Sequence, residues 1–119
     1  MRVKMRQLER IFSSMYSYWA FVIPQGVAAI DDCVFMYKSN LTKVSIPTSG
    51  AKIGSYTFYD CSNLTNVTFE GNAPSIDANC FTDVGPSCTV YVKRESSGWG
   101  VSIPGTWNGM AIRFREDDE

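Results

Sequence analysis

Residues Ile53, Phe58, Leu64, Val67 and Phe69 have apolar counterparts 23 positions upstream, at Ile30, Phe35, Leu41, Val44 and Ile46. The same shift downstream reaches Ile76, Phe81, Ser87, Val90 and Val92, and four of these five keep the pattern. Asn40 falls on Asn63 and Thr42 on Thr65 in this register. One further shift upstream reaches Gln7, Phe12, Tyr18, Phe21 and Ile23, and "FVIP" then aligns with "VSIP" through Pro24 and Pro47. A unit this short cannot bury its apolar edge alone. Its copies must stack, so that equivalent positions form columns through a shared core.

Each unit reads as one coil. "LTKVSI" and "LTNVTF" carry the L-x-x-L-x-L pattern of a repeat strand. Within them the steps Val44-Ser45-Ile46 and Val67-Thr68-Phe69 alternate inward and outward, and β-branched and aromatic residues suit a strand. The turn-forming stretches "PTSG" and "EGNAP" follow. Next come "KIGSYTFYDCSN" and "SIDANCFTDV", whose Ile-to-Phe spacing of five fits a short helical turn or an irregular arc. Stacking sets Ile30, Ile53 and Ile76 in one column and Phe35, Phe58 and Phe81 in another, with the strands in a parallel ladder. Burial of each anchor is worth ~1.5–3 kcal/mol. Ordering entropy offsets most of that, which makes about three repeats plus caps the minimum. The expected layout is a degenerate repeat or cap over 1–24, repeats over 25–47, 48–70 and 71–93, a cap over 94–114 and an acidic tail over 115–119.

The stretch "IGSYTFYDCSNLTNVTF", residues 53–69, resembles the BspA-like leucine-rich repeats of bacterial cell-surface proteins. Units of that family run Ile-Gly-x-x-Ala-Phe-x-x-Cys-x-x-Leu-x-x-Val-x-Ile-Pro. Ile53, Gly54, Phe58, Cys61, Leu64, Val67 and Phe69 stand at those places, and Ile46-Pro47 closes the preceding unit. The resemblance covers about residues 20–92. The first full copy departs from it with Asp31, Val34 and Lys38 where the family has Gly, Ala and Cys. The last departs with Asp77, Cys80 and Val84, and Thr57 replaces a small Ala. The resemblance implies a right-handed, arc-shaped leucine-rich-repeat solenoid on secreted or surface-anchored proteins, used for adhesion or protein binding without catalysis.

Composition removes several other functions. The chain has no histidine, so Ser–His and Cys–His nucleophile pairs and histidine metal sites are out of reach. Cys33, Cys61, Cys80 and Cys88 lack the close C-x2-C pairs of a zinc site and share no column of the repeat. No phosphate-cradling glycine loop, metalloprotease motif or nucleophile elbow occurs. No enzyme activity, metal or cofactor is expected. The net charge of -1 gives no general attraction to nucleic acid. The basic start (Arg2, Lys4, Arg6, Arg10) and acidic end (Glu116 to Glu119) read as solvated termini.

No apolar run reaches the ~18 residues of a membrane span. The basic start, the apolar stretch "IFSSMYSYWAFVIPQG" and "VAA" at 27–29 have the outline of a secretory signal. Ser13, Ser14 and Ser17 suit one poorly, and a worn repeat copy accounts for the same residues. The sequons at Asn40, Asn63 and Asn66 arise from the repeat itself.

The candidate sites are few. Cys61, next to Asp60, reads as a small buried hydrophobe, because a reactive thiol needs a basic neighbour; a disulfide to Cys80 is the alternative. Outward strand positions Lys43, Asn66 and Thr89, and Ser45, Thr68 and Tyr91, form the expected partner face, for an unidentified protein or host surface ligand. With so few coils its area falls short of the ~800 Å² per partner of a standard interface. Trp99 and Trp107 are expected to cap the last coil, with Ile112 and Phe114 in a final inward-packing strand. The competing reading makes Trp99, Trp107 and Tyr91 a carbohydrate-binding platform beside Asn108. A third makes the chain a structural spacer of a longer surface protein.

Overall fold

A computed structural model describes residues 2–3 and 19–116 of the chain. The L-x-x-L-x-L segments become β2 (Trp19–Val22), β4 (Leu41–Ile46), β6 (Asn66–Phe69) and β8 (Thr89–Val92). With β9 (Gly105–Trp107) and β10 (Met110–Phe114) they form a six-stranded sheet in the order β2-β4-β6-β8-β10-β9. Pairing follows the sequence period: Lys43 lies beside Asn66, Val44 beside Val67, Ser45 beside Thr68 and Ile46 beside Phe69. Asn66, Val67 and Thr68 in turn lie beside Thr89, Val90 and Tyr91. Val67, Phe69, Val90 and Val92 are buried while the residues between them are half-buried, as a strand with one face on the core requires.

A second ladder was not visible in the repeat pattern. β1 (Arg2–Val3), β3 (Ala29–Ile30), β5 (Lys52–Ile53) and β7 (Ser75–Ile76) are two-residue strands in a parallel sheet of that order. Ile30, Ile53 and Ile76 pair directly here, so each of these anchors sits on a strand and not on the following arc. At the N-terminal end of this ladder, Ile30 is partnered by Val3, at a separation of 30 − 3 = 27. Phe21 pairs with Val44 at the regular 44 − 21 = 23. Hence the first coil is four residues longer on its other side. Of the first-copy positions inferred from the period, Gln7, Phe12 and Tyr18 lie outside the described residues, while Phe21 and Ile23 are buried.

Among the described residues the arcs contain no helix; they are chains of turns. Met36 N–H donates to the Cys33 carbonyl at 3.2 Å, Lys38 to Phe35 at 3.1 Å and Leu41 to Lys38 at 3.1 Å. Left-handed backbone recurs with the period, at Cys33 (φ 63°), Tyr56 (59°) and Asn79 (56°), and again at Tyr37 (65°), Asp60 (56°) and Asp83 (59°). Such angles are uncommon outside glycine, above all for tyrosine. Their return in each coil marks a conformation imposed by stacking.

Alternate arc residues hydrogen-bond from one coil to the next. The N–H groups of Cys33, Phe35 and Tyr37 donate to the carbonyls of Ser55, Thr57 and Tyr59, each at 2.9 Å. Those of Tyr56, Phe58 and Asp60 donate to Ala78, Cys80 and Thr82 at 3.0, 2.8 and 2.9 Å.

The core runs along the stack. Phe35 and Phe58 lie face to face at 5.1 Å and 6°, and Phe58 and Phe81 at 5.2 Å and 8°. Leu41, Leu64, Ile46 and Val44 are buried beside them. Ser87, the one polar residue in the leucine column, is exposed. The buried residue is its neighbour Cys88, whose N–H closes the pre-strand turn on Gly85 as Leu64 does on Cys61. Gly54 is required by close approach, since a Cβ there would stand 2.6 Å from the Asp32 nitrogen. Thr57 is buried with its hydroxyl satisfied, donating to the Gly54 carbonyl at 2.6 Å.

The array closes on a hairpin. β10 pairs parallel to β8, with Ile112 beside Val90 and Phe114 beside Val92, and β9 returns antiparallel to it. Asn108 (φ 49°) and Gly109 (φ 81°) make the two-residue turn with the left-handed pair that such hairpins favour. Ile112 is fully buried, and Phe114 is partly buried beneath the Arg94 guanidinium at 4.7 Å. Phe58 has a stacked ring on either side, so Phe58→Ala should open a cavity that no neighbour can close. We expect a loss of about 3–5 kcal/mol in urea unfolding, whereas Thr68→Ala, on the outer face, should change stability little.

Candidate functional site

The outward face of the six-stranded sheet carries the columns read from the sequence and extends them by one strand at each end. One column runs Ala20, Lys43, Asn66, Thr89 and Ala111; the other runs Val22, Ser45, Thr68, Tyr91 and Arg113. The period kept Lys43, Asn66 and Thr89 together, and Ser45, Thr68 and Tyr91 together, because pairing and repeat share one register. Ala111 and Arg113 were missed, since β10 follows β8 at 111 − 89 = 22 and not 23. Val22, 71% exposed, leaves a bare apolar side chain at one edge of this face, and the exposed Arg113 lies at the other. The face is therefore polar and weakly cationic, with Lys43 and Arg113 as its charges.

An ion-pair cluster holds one rim of the sheet. Glu70 Oε1 accepts from the Arg115 guanidinium at 2.7 Å and lies 3.6 Å from Lys93 Nζ. Its Oε2 accepts from the Ser45 hydroxyl at 3.3 Å. These groups are about a quarter to a third exposed, so each pair adds little stability. Their effect is positional. They tie the segment after β10 to the coil before β8 and fix the Ser45 side chain.

On the arcs, Tyr37, Tyr56 and Tyr59 gather into an edge-to-face group, with centroid separations of 5.8 Å (Tyr37–Tyr59) and 5.4 Å (Tyr56–Tyr59). Tyr56 accepts a hydrogen bond from Asn79 Nδ2 at 3.1 Å, and the Asp83 carboxylate is the main cause of a raised Tyr59 pKa. The three tyrosines occupy different places in the 23-residue frame, so comparing columns could not bring them together.

The four cysteines are free, and the Cys61–Cys80 disulfide is absent. Cys61 is fully buried and its thiol donates to the Phe35 carbonyl at 3.0 Å. Burial pushes its pKa up to about 12, that of Cys80 to about 12 and that of Cys88 to about 11. Protonated, buried thiols are poor nucleophiles, so Asp60-Cys61-Ser62 is packing and not a reactive centre. Among the described residues no group of His, Cys, Asp or Glu could hold a metal ion.

The proposed sugar platform requires exposed tryptophans, and both are buried: Trp99 at 6% and Trp107 at 8% exposure. Their rings meet at 5.2 Å and 80°, and both contact Phe69, at 5.2 and 5.6 Å. Trp107 also stands 6.0 Å from Phe81, the last ring of the phenylalanine column. Trp99 Nε1 donates to Ser96 Oγ at 2.9 Å. The open apolar edge of the last coil is the stronger claim on two large rings, and neither tryptophan offers an exposed face for sugar stacking.

A family model described as "BspA type Leucine rich repeat region" matches residues 8–97, in six copies. Among curated proteins, an uncharacterized esterase of Agrobacterium fabrum is 28% identical over 95 residues, a match that takes in 80% of this chain and 16% of that protein. No solved structure matches the chain significantly.

Three outcomes follow from the buried groups. The raised thiols are protonated in the folded state where the unfolded chain, near its ordinary value of 9.0, already releases protons. Their contribution to stability is complete below about pH 9 and is lost as pH rises through 9 toward 12. Chemical unfolding should thus show a steeper alkaline decline for the native chain than for a Cys61→Ala/Cys80→Ala/Cys88→Ala variant. Native Cys61 should react slowly with a thiol reagent. Trp107→Ala should cost about 3–5 kcal/mol by the same unfolding measurement, as a cap residue must and a surface platform residue would not.

Proposed function

Because the chain belongs to the BspA-type leucine-rich repeat family, we propose that it is a protein-binding or adhesion module of a bacterial surface or secreted protein. The observation that carries this reading is the outward sheet face, where Lys43, Asn66 and Thr89 stand in register beside Ser45, Thr68 and Tyr91. A flat ladder of short polar side chains, with one aromatic ring and a cation at either side, offers hydrogen bonds and one desolvating anchor to a protein surface. Tyr91 is the anchor, being the one large ring in the two columns. Thr68 lies beside it on the neighbouring strand, and Ser45, whose hydroxyl donates to Glu70, lies one strand further.

Catalysis is not part of this reading. The curated relative is named an esterase, but this chain corresponds to 16% of its length and contains no histidine to serve as a base. Among the described residues no helix is long and apolar enough to cross a membrane, and placement at the surface rests on the family.

The test is binding to an array of immobilised extracellular-matrix and bacterial surface proteins. The native chain should bind a protein on it, and a Lys43→Ala/Tyr91→Ala variant should lose about tenfold or more in affinity, with an unchanged melting temperature. Binding that survives these changes would move the site off the sheet face. Turnover of a simple aryl ester above buffer background would defeat the non-catalytic assignment.

A further inference from the structure

The two sides of the solenoid end differently at the C-terminal face. On the strand side, β10 continues the ladder and β9 covers its edge. Among the described residues the arc side has no such cover. In both preceding coils the N–H groups at three alternate arc positions donate to the coil that follows. The equivalent groups of the last arc are those of Asn79, Phe81 and Asp83, one period beyond Tyr56, Phe58 and Asp60. Among the described residues no acceptor meets these three N–H groups.

The same three residues line open space. A groove of about 540 Å³ runs over Phe81, Asp83, Ser87, Cys88 and Met110, and a smaller recess of about 210 Å³ runs over Asp77, Asn79, Cys80 and Phe81. Asn108, at the hairpin turn, stands between them and lines both. The larger volume is within the ~300–1,000 Å³ of ligand-binding clefts. Asp77 and Asp83 are the charged side chains of the lining, and no lysine or arginine offsets them.

Three donors at alternate residues, in the geometry that receives backbone carbonyls one coil earlier, select a segment presenting carbonyls at every second residue, as the turns of the preceding arcs do. The two carboxylates select for positive charge. We propose that this end face is a docking site for a basic peptide segment of a partner protein. The segment adds to the arc ladder through alternate carbonyls and sets lysine or arginine side chains against Asp77 and Asp83. The groove shares Thr89 and Ala111 with the edge of the outward sheet face, but its donors and carboxylates lie on the last arc, and neither reading depends on the other.

The test uses a short capped peptide alternating lysine and valine, with a glutamate–valine peptide as its counterpart. The basic peptide should bind the native chain saturably, and the acidic one should not. In amide hydrogen exchange, the basic peptide should slow Asn79, Phe81 and Asp83 by about tenfold or more. An Asp77→Asn/Asp83→Asn variant should bind it about five- to tenfold more weakly. Both aspartates are exposed, and Asn tolerates the left-handed backbone of Asp83, so the variant should fold. Absence of saturable binding, equal binding of the acidic peptide, or protection at other amides would overturn the proposal. Self-association of the chain in sedimentation, with protection of the same three amides, would assign the face to a second copy and overturn it equally.

Discussion

The structure depends on one interaction repeated at a fixed interval: the donation of alternate arc N–H groups to the carbonyls of the next coil. Those bonds require Cys33, Tyr37, Tyr56, Asp60, Asn79 and Asp83 to take left-handed backbone, which local preference alone would not grant a tyrosine or a cysteine. The compensation lies in the column beneath. Phe35, Phe58 and Phe81 sit within the arcs, and their parallel stacking sets the coil separation at which the hydrogen bonds form. Local backbone cost and shared core are thus coupled. A coil taken alone would have the strain without the partner that offsets it, which is why such repeats do not fold singly.

Two parallel ladders and the arc bonds give each coil three rows of contact with its neighbours. The rows differ in what they tolerate. The long strands accept a register of 22 at the C-terminal end and an irregular step between Trp19 and Ala20 at the other. On the other side, Gly54 has no room for a side chain against the coil before it, yet the first coil takes four extra residues between β1 and β2. Variation is therefore absorbed on both sides of the coil.

The strand columns and the phenylalanine stack were legible because repeat, pairing register and burial share one number. The same number placed Lys43, Asn66 and Thr89 on one line and Ser45, Thr68 and Tyr91 on another. What escaped were features that break it. Cys88 fills the leucine column one residue late, Val3 meets Ile30 four residues early in the chain, and Arg113 reaches the face through a 22-residue step. The tyrosine group escaped because its members come from unlike positions in the frame, two on one arc and one on the arc before it. The short second ladder escaped because two residues are too few to show alternation. Trp99 and Trp107 were open to a cap or a sugar platform by composition, and only their burial against Phe69 decides between them.

The cap also explains why the arc end stays open. A hairpin strand is extended and antiparallel to its partner, so β9 and β10 can close a ladder of extended strands with ordinary residues. To close the arc ladder, a segment must instead present carbonyls at alternate positions to donors set by a left-handed backbone. The hairpin cannot do this while its own turn, Asn108-Gly109, is held over the groove at the side. Covering the aromatic column and covering the arc donors are separate requirements, and Trp107 meets only the first. The uncovered donors can be satisfied by water while the end is free, or by another backbone when one arrives. An end face of this kind is thus stable in solution and still able to accept a chain, as a sheet edge flanked by charge is.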